Sequence, residues 1–412
     1  MTIAPVGHLQ GRISSSVRVR LGTATVELDE LEYATWLLAH GLDDLGPRLL
    51  PAEVLSTLVD DVAPLDRLWD RGLLVEVPED PAAFANEYRL VPLVHGLGNA
   101  RRSASFGIGL PGERMGRLAE LSGAWAELNP AGFEVWRRSA VYGSLASTVA
   151  AVVSGDSPLR EGLAGVEEGA LREHAVSLLG PLITGWTAAL QPASPTPLVG
   201  APSFPPPPET DRAGWLFAAG HSGGPFHRFL DSAYVAHLVR VGAEDHSLDE
   251  GEARIWEITR AATRDRLWNR ASVAAAAVGE GVPDAGRRLD ALIERGLVVE
   301  VHPGTERALA FARAYRLQPL LHGLAERTDL FEYGLPGRPR VAVSTDRTAL
   351  LWRTAGQWPS LWDAVTAVSA SYAEVGQDRF REDTPEEYLT HWGFAIVREL
   401  LAAGVVYLDG AV

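Results

Sequence analysis

The chain of 412 residues contains no cysteine. That single absence excludes disulfides, thiolate zinc sites, iron–sulfur clusters and cysteine nucleophiles. Lysine is missing as well, and all 37 basic residues are arginine. No Schiff base can form on a lysine, no pyridoxal phosphate can be anchored that way, and the lysine of a phosphate-binding P-loop has no counterpart. An Ala-, Arg-, Gly- and Pro-rich chain without Lys bears the mark of a GC-rich genome, and the exclusions hold whatever produced it. Eighteen apolar residues never occur in a row, so no membrane span is expected. The opening "MTIAPVGHLQGRISSSVRVR" lacks a basic flank followed by an apolar block. No secretory signal is expected there, and a cytoplasmic location is the default.

Positive charge is in deficit too, with a formal net charge of −16. Residues 1–200 carry 15 Arg against 24 acids and residues 201–412 carry 22 against 29, so neither half conceals a basic module. Affinity for nucleic acid comes mainly from neutralising phosphates, which makes nucleic acid an unexpected partner. What the chain does have is apolar material, with 46 % hydrophobic residues and 12 Trp, enough for the cores of two to four domains.

It also repeats itself. "YRLVPLVHGL" (88–97) returns as "YRLQPLLHGL" (315–324), identical at eight of ten positions. "LDRLWDRGLLVEV" (65–77) returns as "LDALIERGLVVEV" (289–301), and "FGIGLPG" (106–112) as "FEYGLPG" (331–337). The offsets of 227, 224 and 225 align the two halves almost without gaps, which indicates a duplication. Between them lies "PASPTPLVGAPSFPPPPETD" (192–211), whose proline run reads as a semi-rigid linker.

Each half divides again. Val282, Ala285, Leu289, Leu292 and Ile293 recur at helical steps, Arg295-Gly296 closes the helix, and the β-branched "LVVEV" reads as a strand. Upstream, Ser247 with Glu250 three residues on predicts a capping box. "PRVAVS", two helices, a long third helix, Gly404 and "VVYLD" repeat that order at the C-terminus. Residues 113–190 follow it in degenerate form, with Trp136 near Trp362 in the alignment and no clear final strand.

This element order, with its "LxxLxxRGLVxxV" phrase, resembles the winged helix-turn-helix superfamily over about four-fifths of the chain. The resemblance implies a mostly α fold with short β-hairpins (α+β), built of tandem winged-helix modules in two pseudo-repeated halves. The modules fall at 15–98, 104–190, 233–325 and 330–412, with the linker at 192–211. "YRLxPLxHGL" and "FxxGLPG" then form a hairpin joining each pair, with Tyr88 and Tyr315 packed at its base.

Candidate chemistry is sparse. His95 and His322 each precede a Gly in an apolar segment, with no partner at metal-ligand spacing, and read as structural. His221, His227, His237 and His246 fall within 26 residues, but no H-x-x-x-H or H-E-x-x-H occurs among them. No metal and no cofactor are expected, and His221 and His227 are the weak candidates. "GHSGG" lacks the G-x-S-x-G order of a nucleophile elbow. On the presumed third helices, Asp66, Arg67, Asp70 and Arg71, and Arg287, Arg288, Asp290, Glu294 and Arg295, mix charges in a way that repels phosphate.

The favoured reading is a non-enzymatic protein that binds a peptide or protein partner. An extended peptide would add a strand at the edges formed by Leu73, Val75 and Val77 and by Leu297, Val299 and Val301. The chain is similar in this respect to the peptide-recognition elements of ribosomally synthesised modified-peptide pathways, which implies an accessory or recognition protein of such a pathway. One alternative is a DNA-binding transcriptional regulator reading through Arg287, Arg288 and Arg295. Another is an enzyme using the Gly- and His-rich loop at 219–228, although sequence neighbours there supply no nucleophile, base and orienting group together.

Overall fold

The computed structural model describes all residues except 1, 14–15, 43–45, 112–122, 156–158, 160–162, 164, 195–213, 229–232, 262–268, 328–329, 339, 376–383 and 412. The Pro-rich linker, from residue 195 onward, lies outside the described residues. The first half opens with β1 (Thr2–Pro5) and the meander β2 (His8–Ile13), β3 (Ser16–Leu21) and β4 (Ala24–Leu28). Helices α1 (Glu30–Ala39), α2 (Ala52–Leu58) and α3 (Ala63–Asp70) follow, then β5 (Leu74–Val77), α4 (Pro81–Glu87) and β6 (Tyr88–Pro92). After β7 (His95–Asn99), β8 (Phe106–Leu110) and β9 (Gly123–Leu128) come α5 (Pro130–Arg138), α6 (Leu145–Ser154), α7 (Glu168–Ser177) and α8 (Leu179–Thr184). Strand β10 (Ala188–Pro192) ends the half, supplying the final strand that residues 113–190 did not reveal in sequence.

The second half repeats this order. It runs β11 (Trp215–Ala218), β12 (His221–His227), β13 (Tyr234–Val241) and β14 (Glu244–Leu248), then α9 (Glu250–Arg260), α10 (Arg270–Gly279) and α11 (Ala285–Glu294). Next are β15 (Val298–Val301), α12 (Glu306–Ala314), β16 (Tyr315–Pro319), β17 (His322–Arg327), β18 (Leu330–Gly334) and β19 (Ala342–Thr345). Helices α13 (Asp346–Ala355), α14 (Leu361–Val375) and α15 (Pro385–Tyr388) lead through a π-turn (Leu389–Gly393) into α16 (Phe394–Ala403) and β20 (Val406–Gly410).

Local chemistry explains the repeated elements. The Asp29 side chain accepts from Glu32 N while the Glu32 carboxylate accepts from Asp29 N, and this capping box starts α1. Asp249 and Glu252 do the same for α9. The cap expected at Ser247 therefore sits two residues later, because β14 runs on to Leu248. A Trp occupies the seventh position of α1, α5, α9 and α13, and Trp36, Trp136, Trp256 and Trp352 are all fully buried. The Nε1 groups of Trp36, Trp256 and Trp352 donate to the carbonyls of Val6, Ala219 and Val405 at 3.2, 2.9 and 3.0 Å. The counterpart of Trp136 is thus Trp352, and the alignment with Trp362 was a register error.

The winged-helix expectation is overturned. Helix makes up 44 % and strand 30 % of the described residues, too much strand for a mostly α fold. The strands are spread over seven separate sheets among the described residues. A wing needs the strand after the third helix to turn back on a second strand. Here β5 and β15 pair with β1 and β11 instead, and the chain runs on into α4 and α12. Asp80 and Thr305 cap those two helices with their side chains, which commits the segment to a helix where the wing would turn. The phrase repeated at 88–97 also divides: β6 pairs with β10, while β7 turns away to pair with β8. In the second half β16 pairs with β20, and β17 with β18. The architecture is mixed α+β.

Two compact units emerge, and they do not coincide with the halves. The first comprises 1–197, 229–231 and 321–343, and the second 198–228, 232–320 and 344–412. The hairpin β17–β18 of the second half therefore belongs to the first unit. It extends the meander there into the order β19-β18-β17-β2-β3-β4, through a parallel pairing of β17 with β2. Gly323 allows that approach, since a Cβ at this position would lie 2.4 Å from the Gln10 carbonyl oxygen.

Candidate functional site

The two strands singled out by the repeat differ in what they leave open. In the first unit Val6 N donates to Leu73 O at 2.8 Å, whereas Ile3 N turns the other way, to Leu50 O at 2.9 Å. With Ala4 opposite Val75 and Thr2 opposite Val77, the main-chain groups of Leu73, Val75 and Val77 face β1. Those of Leu74 and Glu76 face outward. Leu73 and Leu74 are buried, Val75 and Val77 are half-buried, and Glu76 is exposed, so the open stretch centres on Glu76. Glu79 and Asp80 stand exposed just beyond it.

In the second unit Ala219 N donates to Leu297 O at 2.9 Å, so Val299 and Val301 face β11 and Glu300 faces outward. This edge is closed. Glu300 O accepts from Arg307 Nε at 3.1 Å, the Glu300 carboxylate accepts from Arg270 Nε at 2.8 Å, and all four residues of β15 are buried. Counted from the caps Asp80 and Thr305, the residue that stands in the place of Arg307 in the first half is Ala82.

The segment 219–228, expected as a loop, is largely strand β12, paired with β13 and bulged between Ser222 and Gly224. His221 is fully buried, with its ring 4.6 Å from that of Tyr407. His227, at the far end of the strand, meets the edge of Tyr234 at 5.7 Å. No group of three or more His, Asp or Glu side chains able to hold a metal occurs among the described residues. Sequence inspection missed a different set. Ser222 Oγ lies 3.1 Å from His237 Nε2, and His237 Nδ1 lies 4.0 Å from Glu257 Oε1. Ser222 and His237 are each 5 % exposed, and the Glu257 side chain is 34 % exposed.

His95 is buried on β7, with Gly109 opposite. His322 joins an aromatic cluster in the first unit. Its ring lies 5.1 Å from His8 and 5.1 Å edge-on from Trp186, which stacks on His40 at 3.7 Å. Burial pushes the His40 and His322 rings down to about 3 and holds His8 well below its usual value, so all three are neutral. The arginines of the DNA reading are engaged elsewhere. Arg288 pairs with Asp249 at 2.6 Å and Arg295 with Glu252 at 3.2 Å, bracing the capping box of α9. Arg287 pairs with Asp284 at 2.8 Å on the surface.

A buried charge network went unrecognised in the sequence. Arg240 Nη1 lies 3.1 Å from Asp409 Oδ2, Arg240 Nη2 donates to the Tyr407 hydroxyl at 3.1 Å, and Gly242 N donates to Asp409 Oδ1 at 2.6 Å. Burial pushes Tyr407 up to about 12, so it remains a hydroxyl. In the first unit Gln191 takes the place of Asp409, with Gly22 N donating to its Oε1 at 2.7 Å. A role common to Gln191 and Asp409 is structural: each ties the β-turn after the meander's middle strand to the last strand of its half. No helix among the described residues is long and apolar enough to cross a membrane. Comparison with known protein families, curated proteins and solved structures finds no match.

Proposed function

We propose that the chain is a peptide-binding protein that accepts an extended, basic segment of its partner as an added strand on β5. The observation that supports this reading is the difference between two otherwise matching edges. The outward carbonyl of Glu300 on β15 has an internal donor in Arg307, and the first half has Ala82 at that place. Edge strands are normally blunted because an open row of main-chain groups recruits another chain. On β5 the Glu76 N–H and C=O supply two main-chain bonds, and the exposed carboxylates of Glu76, Glu79 and Asp80 favour Arg or Lys in the added strand. The open stretch is short, so the affinity is modest and selectivity rests on the acidic rim.

The test is selection of binders from a displayed random-peptide library on the full chain, followed by affinity measurements on the Glu76→Pro and Val75→Ala variants. Proline at 76 removes the outward donor without touching the ladder to β1. The selected peptides should be basic and lose at least tenfold in affinity to Glu76→Pro, while Val75→Ala changes little. Peptides that bind Glu76→Pro undiminished, with its circular dichroism unchanged, would place the site off β5.

A further inference from the structure

The duplication supplies an internal control for the Ser222, His237 and Glu257 set. The ladders place His221 opposite Arg240 and His8 opposite Arg20, which equates Ser222 with Leu9. His237 lies opposite Leu248 as Val17 lies opposite Leu28, which equates His237 with Val17. Glu257 follows Trp256 as Leu37 follows Trp36. Leu9 and Val17 belong to the buried core of the first unit, and Leu37 packs against it. One scaffold has thus been filled in two ways at the same three places, with apolar side chains in one copy and, in the other, a hydroxyl 3.1 Å from an imidazole whose second nitrogen lies 4.0 Å from a carboxylate. Burying a hydroxyl and an imidazole in place of Leu and Val costs desolvation that their hydrogen bonds only partly offset. Three separate departures that meet in space therefore point to chemistry.

We infer that Ser222 is a nucleophile for small activated acyl groups, with His237 as its base and Glu257 orienting the imidazole. This goes beyond the strand-addition reading and is independent of it. The Ser222 Oγ accepts from Gly224 N at 3.2 Å, which directs its own proton to His237 Nε2 at 3.1 Å. With Nε2 accepting, Nδ1 carries the ring proton and faces Glu257, the order of groups that nucleophilic catalysis requires. The second oxygen of Glu257 meets Arg254 Nη1 at 3.4 Å, which helps to hold the carboxylate in place. The bulge after Ser222 takes Gly223 out of the ladder, and bulges of this kind re-aim a side chain. The main-chain N–H next to a nucleophilic serine is a common oxyanion donor.

In the step itself the Oγ–carbon bond forms and the bond from the acyl carbon to the leaving oxygen breaks. The hydroxyl proton passes to His237 and then to the leaving group, which departs as the alcohol. Water attacks the acyl-serine by the same route, releasing the carboxylic acid and restoring Ser222. Near-complete burial of Ser222 restricts the donor to a small acyl group such as acetyl.

The experiment treats the full chain with p-nitrophenyl acetate and, separately, with a small fluorophosphonate, and maps the modified residue by mass spectrometry. Ser222 should be acetylated and phosphonylated, and the rates should fall roughly a hundredfold in His237→Gln. The triple variant S222L/H237V/E257L, which copies the first unit, should melt no lower than the wild type yet take no label at this position. A folded wild-type chain left unmodified at Ser222 by both reagents overturns the proposal. Labelling of Ser222 that is undiminished in both His237→Gln and Glu257→Gln does so too.

Discussion

Trp186 has a backbone φ of 57°, a left-handed conformation that costs a bulky side chain of the order of 1 kcal/mol or more. Its counterpart in the second half, counted through the paired strands β10 and β20, is Gly404 at φ 69°. The strain is sustained because the indole stacks on His40 and meets the edge of His322, both held neutral by burial. These rings give the first unit a definite response to acid. A histidine whose folded value lies below its ordinary 6.5 is protonated first in the unfolded chain. Its contribution is therefore intact above that range and drains away as pH falls from 6.5 towards 3. The loss approaches about 1.4 kcal/mol per pH unit for each ring. Urea midpoints measured from about pH 7.5 down to 4.5 should fall, and His322→Gln should flatten the slope. Equal slopes in wild type and variant would count against the neutral ring.

Among elements, the matched strands β5 and β15 carry the next expectation. Giving the first half its own internal donor through Ala82→Arg should close β5 without altering it. Peptides selected on the wild type should then bind roughly tenfold more weakly, in line with the loss of main-chain bonds at about 0.5–1.5 kcal/mol each. Ala82→Met serves as the bulk control, and equal weakening by both variants would make the effect steric. How much of this was open to sequence reading depends on range. The helix–Gly–strand phrase was legible because periodicity and a left-handed cap are local, and Gly72 and Gly296 indeed sit at φ 70°. The partner of β5 was not, since β1 lies some seventy residues earlier in the chain and pairing leaves no local mark. Asp80-Pro81 is a helix start that argues against a wing, as does Thr305 at the matching place in the second half. Ser222, His237 and Glu257 are 15 and 20 residues apart on three elements, so no motif spans them. Aligning "GHLQGR" with "GHSGGP" marks the first of them as a departure from an apolar twin.

In the molecule as a whole, the borrowed hairpin makes the first unit incomplete as a contiguous piece of sequence. Residues 1–194 expressed alone would lack β17 and β18 and present a bare β2 edge. That fragment should aggregate or unfold at lower temperature than the intact chain, and a synthetic 321–343 peptide added in trans should restore a monomer by size exclusion. A fragment that is monomeric and melts like the first transition of the full chain would show that the hairpin is dispensable. The same feature sets a clock on synthesis. The contact between His8 and Leu321 spans 313 residues. At roughly 5–20 residues per second, the ribosome exposes β2 for about a quarter of a minute to a minute before its neighbour emerges. Throughout that interval the nascent chain displays one bare edge of β2 beside a growing apolar core, a site where another chain can add before the hairpin arrives.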